Sequence, residues 1–207
     1  MDNSMAVSRE LFDLVKQRHG EYASWAVWNE PKEGDGRLSG GMDDPIFDNV
    51  TDDLLDQLNP EYMFVALNFS IGSVPTLMNF QSVDKHIGKL RYALRGCPFW
   101  GAYMTDVIKG YSNPNANDTM KFLTSNPDKE TEAIELLRDE IRTLGDKVTT
   151  LIAFGTKTSR ILNRNLSDEY NILQITHYSH YIRRPVGETY KQMVMPKMVQ
   201  EFGCHPW

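Results

Sequence analysis

The sequence predicts an α/β fold, a three-layer α/β/α sandwich with a mostly parallel, four-stranded central sheet. Two observations support this prediction. The run 63–67 holds five apolar residues without a charge, as expected for a strand buried on both faces. From there onward, apolar runs alternate with amphipathic segments, which is typical of parallel strands joined by helices. At 207 residues the chain is predicted to form one domain, 1–207, with 1–59 as an N-terminal helix and acidic loop extension.

The N-terminal extension contains little regular structure. Residues 4–19 are predicted to form a modest amphipathic helix, with Ser8 as its cap. Residues 21–28 are compatible with a short strand or a buried turn. Residues 29–49 are rich in glycine, proline and acidic residues and are predicted to form a long irregular loop. A short acidic helix over 50–58 then leads into the first strand.

The remaining elements follow in alternation. The predicted strands are 63–70, 100–108, 149–154 and 170–176. The predicted helices are 81–95, 125–144, 155–162 and 187–202, the last with Pro196 as a possible interruption. Residues 110–128 are predicted to be a loop with room for one short helical turn. Right-handed crossovers would bring the carboxyl ends of all four strands to one edge of the sheet, where α/β proteins bind ligands.

Composition excludes several classes of protein. No apolar run approaches the roughly 20 residues of a membrane span, and residues 1–9 lack the pattern of a signal peptide. The chain is therefore expected to be cytoplasmic, without a membrane partner. Cys97 and Cys204 are the two cysteines, which exclude a disulfide framework, a four-cysteine zinc site and a four-cysteine iron–sulfur cluster within one chain. The acidic positions 43, 44 and 48 match no calcium loop, so no metal is predicted.

The charge is unevenly distributed along the chain. The formal net charge is −6, which argues against a protein that coats nucleic acid without specificity. Residues 1–62 carry a net charge of −9, whereas residues 63–207 carry +3. The mildly basic main part of the chain weakens the argument against DNA but does not reverse it.

Common cofactor and nucleophile motifs do not occur. Gly155-Thr156-Lys157-Thr158 is similar to the end of a phosphate-binding loop, but the upstream glycine is absent, since position 150 is threonine. No GxGxxG follows a strand and no GxSxG is present. We therefore expect no triphosphatase, no dinucleotide site and no cofactor.

Three motifs at strand ends fit one known pattern. The first strand ends in Ala66-Leu67-Asn68-Phe69-Ser70, the second is Tyr103-Met104-Thr105-Asp106-Val107-Ile108-Lys109, and the fourth is followed by His177-Tyr178-Ser179. In order and spacing these resemble the uracil-DNA glycosylase superfamily, whose corresponding motifs are G-x-N-P-G, Y-x-T-N-x-V-K and H-P-S. The third strand and the helix after it, LIAFGTKTSRIL, are similar to the family's I-x-A-L-G-x-x-A. The resemblance covers roughly residues 60–182.

The resemblance implies a set of site residues. Asn68 would place the water that attacks the sugar, and His177 would stabilise the departing base. Base contacts would come from Phe69, Phe80, Asp106 and Ser179. Phosphates of a DNA partner would meet Lys109, Lys157, Arg183 and Arg184, with the neighbouring Arg160 as a further candidate.

The chain also departs from the family's pattern. Phe69 and Ser70 replace the Pro-Gly of the first motif, and Tyr178 replaces the proline of the third. Asp106 stands where a base-contacting asparagine is expected. An ionised carboxylate only accepts hydrogen bonds, so plain uracil would fit poorly and a base with an exocyclic amino group would fit better. Alternatively, Asp106 caps a helix or pairs with Lys109, and His177 is a structural histidine.

The leading functional hypothesis is a divergent DNA glycosylase that hydrolyses the N-glycosidic bond of a flipped-out damaged or mispaired base. The alternative is a non-catalytic nucleic-acid or nucleotide-binding module on the same fold. A third hypothesis is an unrelated nucleotide-processing α/β enzyme that shares only the geometry of the strand ends.

Overall fold

The computed structural model describes residues 7–29, 46–68, 75–81, 86–109, 111–181 and 186–202, and shows a mixed α/β fold. The strands are β1 Ser24–Trp25, β2 Asn59–Asn68, β3 Ala102–Ile108, β4 Thr150–Phe154 and β5 Asn171–Ile175. The helices are α1 Arg9–His19, α2 Asp52–Leu55, α3 Ile87–Leu94, α4 Ala116–Ser125, α5 Pro127–Thr143, α6 Gly155–Leu166 and α7 Val186–Phe202. None of these described helices is long and apolar enough to cross a membrane.

The sheet has five strands in the order β1-β3-β2-β4-β5, so the prediction of four strands is wrong by one. The added strand is β1, which pairs antiparallel with β3 through Ser24 opposite Met104 and Trp25 opposite Tyr103. Two residues are too few to display an alternating pattern, which is why the sequence left residues 21–28 undecided between a strand and a turn. The other four strands are parallel, as expected.

The strand order reverses at β2. The chain leaves β2 to form β3 on one side, and later returns to form β4 and then β5 on the other side. Loops that leave the carboxyl ends of two such neighbouring strands diverge and open a crevice between them. In this chain the crevice is expected between the ends of β2 and β4.

Two hydrophobic clusters, one on each face of the sheet, explain why polar and apolar residues do not alternate along the strands. Met63 and Val65 belong to one cluster, whereas Phe64 and Ala66 belong to the other. Alternate residues of a strand point to opposite faces of the sheet, so β2 is buried on both faces. Apolar residues of α1, α5 and α6 contribute to the first cluster, and those of α3 and α7 contribute to the second.

Several boundaries differ from the sequence prediction. Helix α4 occupies ten residues of the predicted loop 110–128 and begins after Asn115, whose side chain accepts a hydrogen bond from the backbone of Asn117. Strand β2 begins at Asn59 rather than at residue 63, and its register is irregular before Met63. This irregularity accommodates Pro60, which has no N–H to donate to a regular ladder. Helix α7 continues through Pro196.

Candidate functional site

A cavity of about 590 Å³ lies where the strand order reverses. Its lining includes the end of β2, the turn from β4 into α6 and the segment after β5. Of the predicted site residues, six contribute to the lining: Asn68, Phe80, Asp106, Lys157, His177 and Ser179. The chain therefore brings the predicted amide and imidazole, which are 109 positions apart in sequence, to one cavity.

Asn68 is the last residue of β2, and its amide orientation is fixed by the loop after β3. Its Nδ2 donates hydrogen bonds to the carbonyl oxygen of Asn113 at 2.8 Å and to that of Tyr111 at 3.3 Å. An amide nitrogen has two hydrogens, so these two bonds use both. The hydrogen-bond acceptor of this side chain is its Oδ1, which has two lone pairs.

His177 is partly buried, and its tautomer follows from its contacts with Ser179. The backbone N–H of Ser179 donates to His177 Nδ1 at 3.1 Å, and Ser179 Oγ lies 2.9 Å from the same nitrogen. A nitrogen that accepts from a backbone N–H carries no proton, so the ring hydrogen of neutral His177 is on Nε2. Burial, with the nearby Lys89 and His86, lowers the pKa of His177 to about 4. At neutral pH the ring is therefore an uncharged Nε2–H donor.

Gly155 provides the backbone conformation with which α6 begins next to His177. Its φ is +83°, a backbone conformation that residues with a side chain rarely adopt. A Cβ at this position would lie 3.6 Å from His177 Cβ, which is ordinary contact. The constraint on Gly155 is therefore the backbone angle rather than the available space.

The first turn of α6 also borders the cavity. Thr158 is 1% exposed and lines the cavity, and no hydrogen-bond partner for its Oγ1 is found among the described residues. Lys157 is partly buried, and its Nζ donates to Asn117 Oδ1 at 2.7 Å. The N–H groups of a helix start and a nearby lysine favour an anion.

Asp106 lies in the cavity wall and does not cap a helix. The residue is 2% exposed, and its Oδ2 accepts a hydrogen bond from Asn79 Nδ2 at 2.7 Å. Burial raises the pKa of Asp106 to about 7, with a smaller contribution from Glu140, whereas Asn79 and Lys109 act in the opposite direction. The carboxyl group is therefore present in both protonation states near neutral pH.

Lys109 is not placed to contact a phosphate. The residue is 9% exposed, and its Nζ forms an ion pair with Glu140 Oε2 at 2.8 Å and donates to the backbone oxygen of Asp106 at 2.8 Å. Glu140 is fully buried and also accepts hydrogen bonds from Tyr103 and Thr105. The prediction that Lys109 binds phosphate does not fit this geometry, nor does the alternative that it pairs with the Asp106 carboxylate.

Two phenylalanine rings border the cavity. Phe80 was predicted to stack against a base, and it is 3% exposed and lines the cavity. Phe154, the last residue of β4, was not predicted. Its ring stacks on Phe64 at 5.3 Å between centroids and meets Tyr178 edge-on at 5.0 Å. Its position at a strand end was the available signal, but within an apolar run it was not distinguishable from a core residue.

Phe69, Ser70, Arg183 and Arg184 lie outside the described residues.

Asn79 was missed because it belongs to a segment predicted only as a loop, and its contact with Asp106 joins positions 27 residues apart. Within the described ranges, no three His, Cys, Asp or Glu residues lie close enough together to hold a metal ion.

Comparisons with known proteins do not test the resemblance. No family model, no curated protein and no solved structure matches this chain. The similarity to the uracil-DNA glycosylase superfamily rests on the three strand-end motifs and stays a prediction.

Proposed function

We propose that the protein is a three-layer α/β/α domain of the uracil-DNA glycosylase type that hydrolyses the N-glycosidic bond of a base flipped out of DNA. One observation carries the proposal. Asn68 and His177 line the same cavity, and the hydrogen bonds that each side chain makes determine which of its atoms can accept or donate a further hydrogen bond. Asn68 offers an acceptor oxygen and His177 an uncharged N–H donor.

The chemistry of the reaction suits these two groups. Cleavage of the bond between the sugar carbon and the base nitrogen develops positive charge on the sugar and negative charge on the base. The Nε2–H of His177 can donate to a base oxygen as that charge grows, which stabilises the transition state more than the ground state.

Asn68 suits the placement of water. A neutral amide cannot remove a proton at ordinary pH, so Asn68 cannot act as a general base. A water whose hydrogen is accepted by Asn68 Oδ1 has a lone pair available for a sugar carbon that is already cationic. Orientation then matters more than deprotonation, and the water loses its proton to solvent after the new bond forms.

The other residues of the cavity support the proposal of a flipped nucleotide as the ligand. Phe80 and Phe154 border the cavity with rings that are 3% and 2% exposed, and enzymes that act on flipped bases commonly hold them against aromatic side chains. The start of α6, with Lys157 and the buried hydroxyl of Thr158, suits a phosphate on the same nucleotide.

A non-catalytic binding module is the second candidate, and one observation favours it. The two bonds from Asn68 to the carbonyl oxygens of Tyr111 and Asn113 are those of an asparagine that holds a loop in place. Such an asparagine has a structural role that does not require catalysis.

The test is base release from single- and double-stranded oligonucleotides that carry uracil, hypoxanthine, mismatched thymine or mispaired adenine, the last of which has an exocyclic amino group. Asn68→Ala and His177→Ala are each expected to slow release about 100-fold, within the range that single positioned groups contribute to catalysis. His180→Ala is the matched control, because His180 is exposed and does not line the cavity. Release that neither substitution changes would refute the mechanism. DNA binding without release would favour the binding module, and absence of both would favour an unrelated enzyme.

A further inference from the structure

The segment that carries His177 is held on both sides by side chains from α3 and α7. Before His177, the hydroxyl of Tyr190 on α7 donates a hydrogen bond to the backbone oxygen of Thr176 at 2.7 Å. After it, Nζ of Lys89 on α3 donates to the backbone oxygen of His180 at 2.9 Å. The backbone is therefore tied to two helices at positions that flank the imidazole.

Lys89 and Tyr190 are buried close together. Lys89 is 2% exposed and Tyr190 is fully buried, and neither lines the cavity. Lys89 Nζ lies 6.0 Å from the centroid of the Tyr190 ring, a distance at which an ammonium group is attracted to an aromatic face. Burial raises the pKa of Tyr190 above its ordinary value, with a smaller contribution from Tyr178, so the hydroxyl keeps its proton and stays a donor.

The stability of the loop does not require a lysine at position 89. Removal of an ammonium group from water is costly, and an apolar side chain at a buried position avoids this cost. The backbone oxygen that Lys89 binds belongs to His180, an exposed residue whose carbonyl group could be hydrated instead. The charge of Lys89 therefore points to a role at the neighbouring imidazole.

We propose that Lys89 and Tyr190 are positioning residues, which hold the backbone on both sides of His177 so that its ring keeps one orientation in the cavity. This inference rests on the proposed function, because it supplies the fixed donor that base release needs. A donor already aimed at the developing negative charge needs no reorientation during the reaction. Ring contacts of His177 with Phe154 and Tyr178, at 5.8 Å and 4.5 Å between centroids, complete its support.

The charge of Lys89 adds an electrostatic effect to this support. Burial lowers the pKa of His177 most, and Lys89 and His86 lower it further, because a nearby cation opposes a second positive charge. The same cation favours negative charge on a base held by His177. Tyr190 contributes a hydrogen bond without a charge, so the two residues should differ in their effects. The other titratable side chains of the cavity lining are Asp106, Lys157 and Tyr178.

Lys89→Met and Tyr190→Phe test the two contributions. Lys89→Met removes the charge and the hydrogen bond to the loop but keeps an unbranched side chain that suits a buried site. Tyr190→Phe removes one hydroxyl and keeps the ring. The matched controls are Lys197→Met, at an exposed position on α7, and Tyr92→Phe, which removes a hydroxyl that donates from α3 to Glu188 Oε2 on α7 at 3.0 Å.

Two measurements on the free protein report the position of His177 without any reaction. In nitrogen-15 NMR of Lys89→Met, the pKa of His177 is expected to rise from about 4 to about 5, because a nearby cation is lost. In Tyr190→Phe this pKa should change less. In both variants the amide proton of Ser179, which donates to His177 Nδ1, should exchange with solvent faster. Neither control should change the pKa or the exchange.

The kinetics of base release report the effect on the reaction. They are measured on the oligonucleotide, among those named above, that loses its base fastest. Lys89→Met and Tyr190→Phe are each expected to lower kcat about tenfold and to change KM less than about twofold, because a misaligned donor is lost mainly in the transition state. Lys197→Met and Tyr92→Phe should leave kcat unchanged.

The two kinds of measurement separate this inference from the proposed function. Altered NMR and exchange of both variants, in a protein that releases no base, would support the positioning of His177 and refute the glycosylase. His177 signals that neither variant alters, or that the controls alter equally, would overturn the inference, and base release would then leave the glycosylase intact. Base release with an unchanged kcat in both variants would also overturn it. If Lys89→Met does not fold, Tyr190→Phe decides alone.

Discussion

His177 is an imidazole whose proton position is determined by one neighbouring residue. The backbone N–H of Ser179 points at Nδ1, and this places the hydrogen of the neutral ring on Nε2. The spacing of two residues between His177 and Ser179 makes this a local contact, so the sequence motif alone specifies it. The depressed pKa, in contrast, depends on burial and on Lys89 and His86 from a distant part of the chain, and it was not predictable.

We predict that His177 stays neutral, as the Nε2–H tautomer, throughout the range from pH 5.5 to 8. The pKa of about 4 means that burial opposes protonation until the solution is strongly acidic. Nitrogen-15 NMR of the imidazole rings should show a protonated Nε2 and an unprotonated Nδ1 at pH 6. Ser179→Ala, which removes the hydroxyl but keeps the backbone donor, should preserve this tautomer. A ring that titrates near pH 6.5 would contradict the prediction.

Asp106 yields a prediction about stability. Its ordinary pKa is 3.8, and its folded pKa is about 7. Between these values the unfolded chain is ionised and the folded chain is not, so the unfolding free energy falls as the pH rises from 4 to 7. Asp106→Asn removes this loss and should be more stable than the unsubstituted protein at pH 8, by an amount on the order of 1.4 kcal/mol per unit of pKa shift at most.

Urea unfolding at pH 4, 6 and 8 measures this effect. The advantage of Asp106→Asn should grow from near zero at pH 4 to its full value above pH 7. Asp13→Asn, exposed on α1, controls for the removal of one negative charge. An advantage that is equal at all three pH values would mean that the carboxyl group does not titrate as proposed.

At the level of secondary-structure elements, the first residue of α6 has an unusual backbone conformation next to a residue of the candidate site. Gly155 has a φ of +83°, and the space beside it would admit a methyl group. Gly155→Ala is therefore expected to lower the unfolding free energy by roughly 1–2 kcal/mol, the cost of a left-handed conformation for a residue with a Cβ. His177 should keep its pKa, since the added Cβ makes only ordinary contact with it.

Gly145→Ala is the matched control for this substitution. Gly145 also has a positive φ, +77°, and a Cβ there would meet no atom within 4 Å. It lies after α5 and is not in the cavity lining. Chemical denaturation should give similar losses of stability for the two variants. A much larger loss at Gly155, or a changed titration of His177, would show that the contact with His177 is tighter than 3.6 Å suggests.

Helix α5 and strand β2 show which elements a sequence can predict. Helix α5 has apolar residues at helical spacing and is followed by Gly145, and the predicted 125–144 agrees closely with Pro127–Thr143. Strand β2 was predicted from its uninterrupted apolar run, but its first four residues were missed because Asn59 and Pro60 resemble a turn. Helix α4 was predicted only as a loop with room for one short helical turn, because only Thr119 and Leu123 of its ten residues are buried, too few to show a helical period.

At the level of the whole molecule, the shared edge of parallel strands made the candidate site predictable. The predicted topology put the ends of all the parallel strands on one edge, and the family resemblance then selected Asn68 and His177 from the residues there. The partners of Asp106 and Lys109 were not predictable, because Asn79 and Glu140 reach them from segments that no pattern links to β3. Long-range pairing of polar side chains leaves no periodic trace in the sequence.

Under the proposed function, the net charge of −6 limits how the molecule could bind DNA. Attraction to DNA would then have to come from a few cations near the cavity, and Lys157 is the lysine described in its lining. Binding to single-stranded DNA should weaken with salt, and Lys157→Ala should reduce the slope of log K against log salt by about 0.7, the effect of one lost phosphate contact. Fluorescence anisotropy over a series of salt concentrations tests this, with the exposed Lys121→Ala as control. An unchanged slope for Lys157→Ala would remove Lys157 from the binding surface.

The central position of β2 has a consequence for how the molecule unfolds. This strand is hydrogen-bonded along both edges, to β3 and to β4, and the residues from Met63 to Val65 are fully buried. Exposing their amides to solvent requires the sheet itself to separate, which for such a strand costs about as much as complete unfolding. Amide protons in this segment should therefore be the slowest to exchange with deuterium, and the support under Asn68 should persist while peripheral segments open and close.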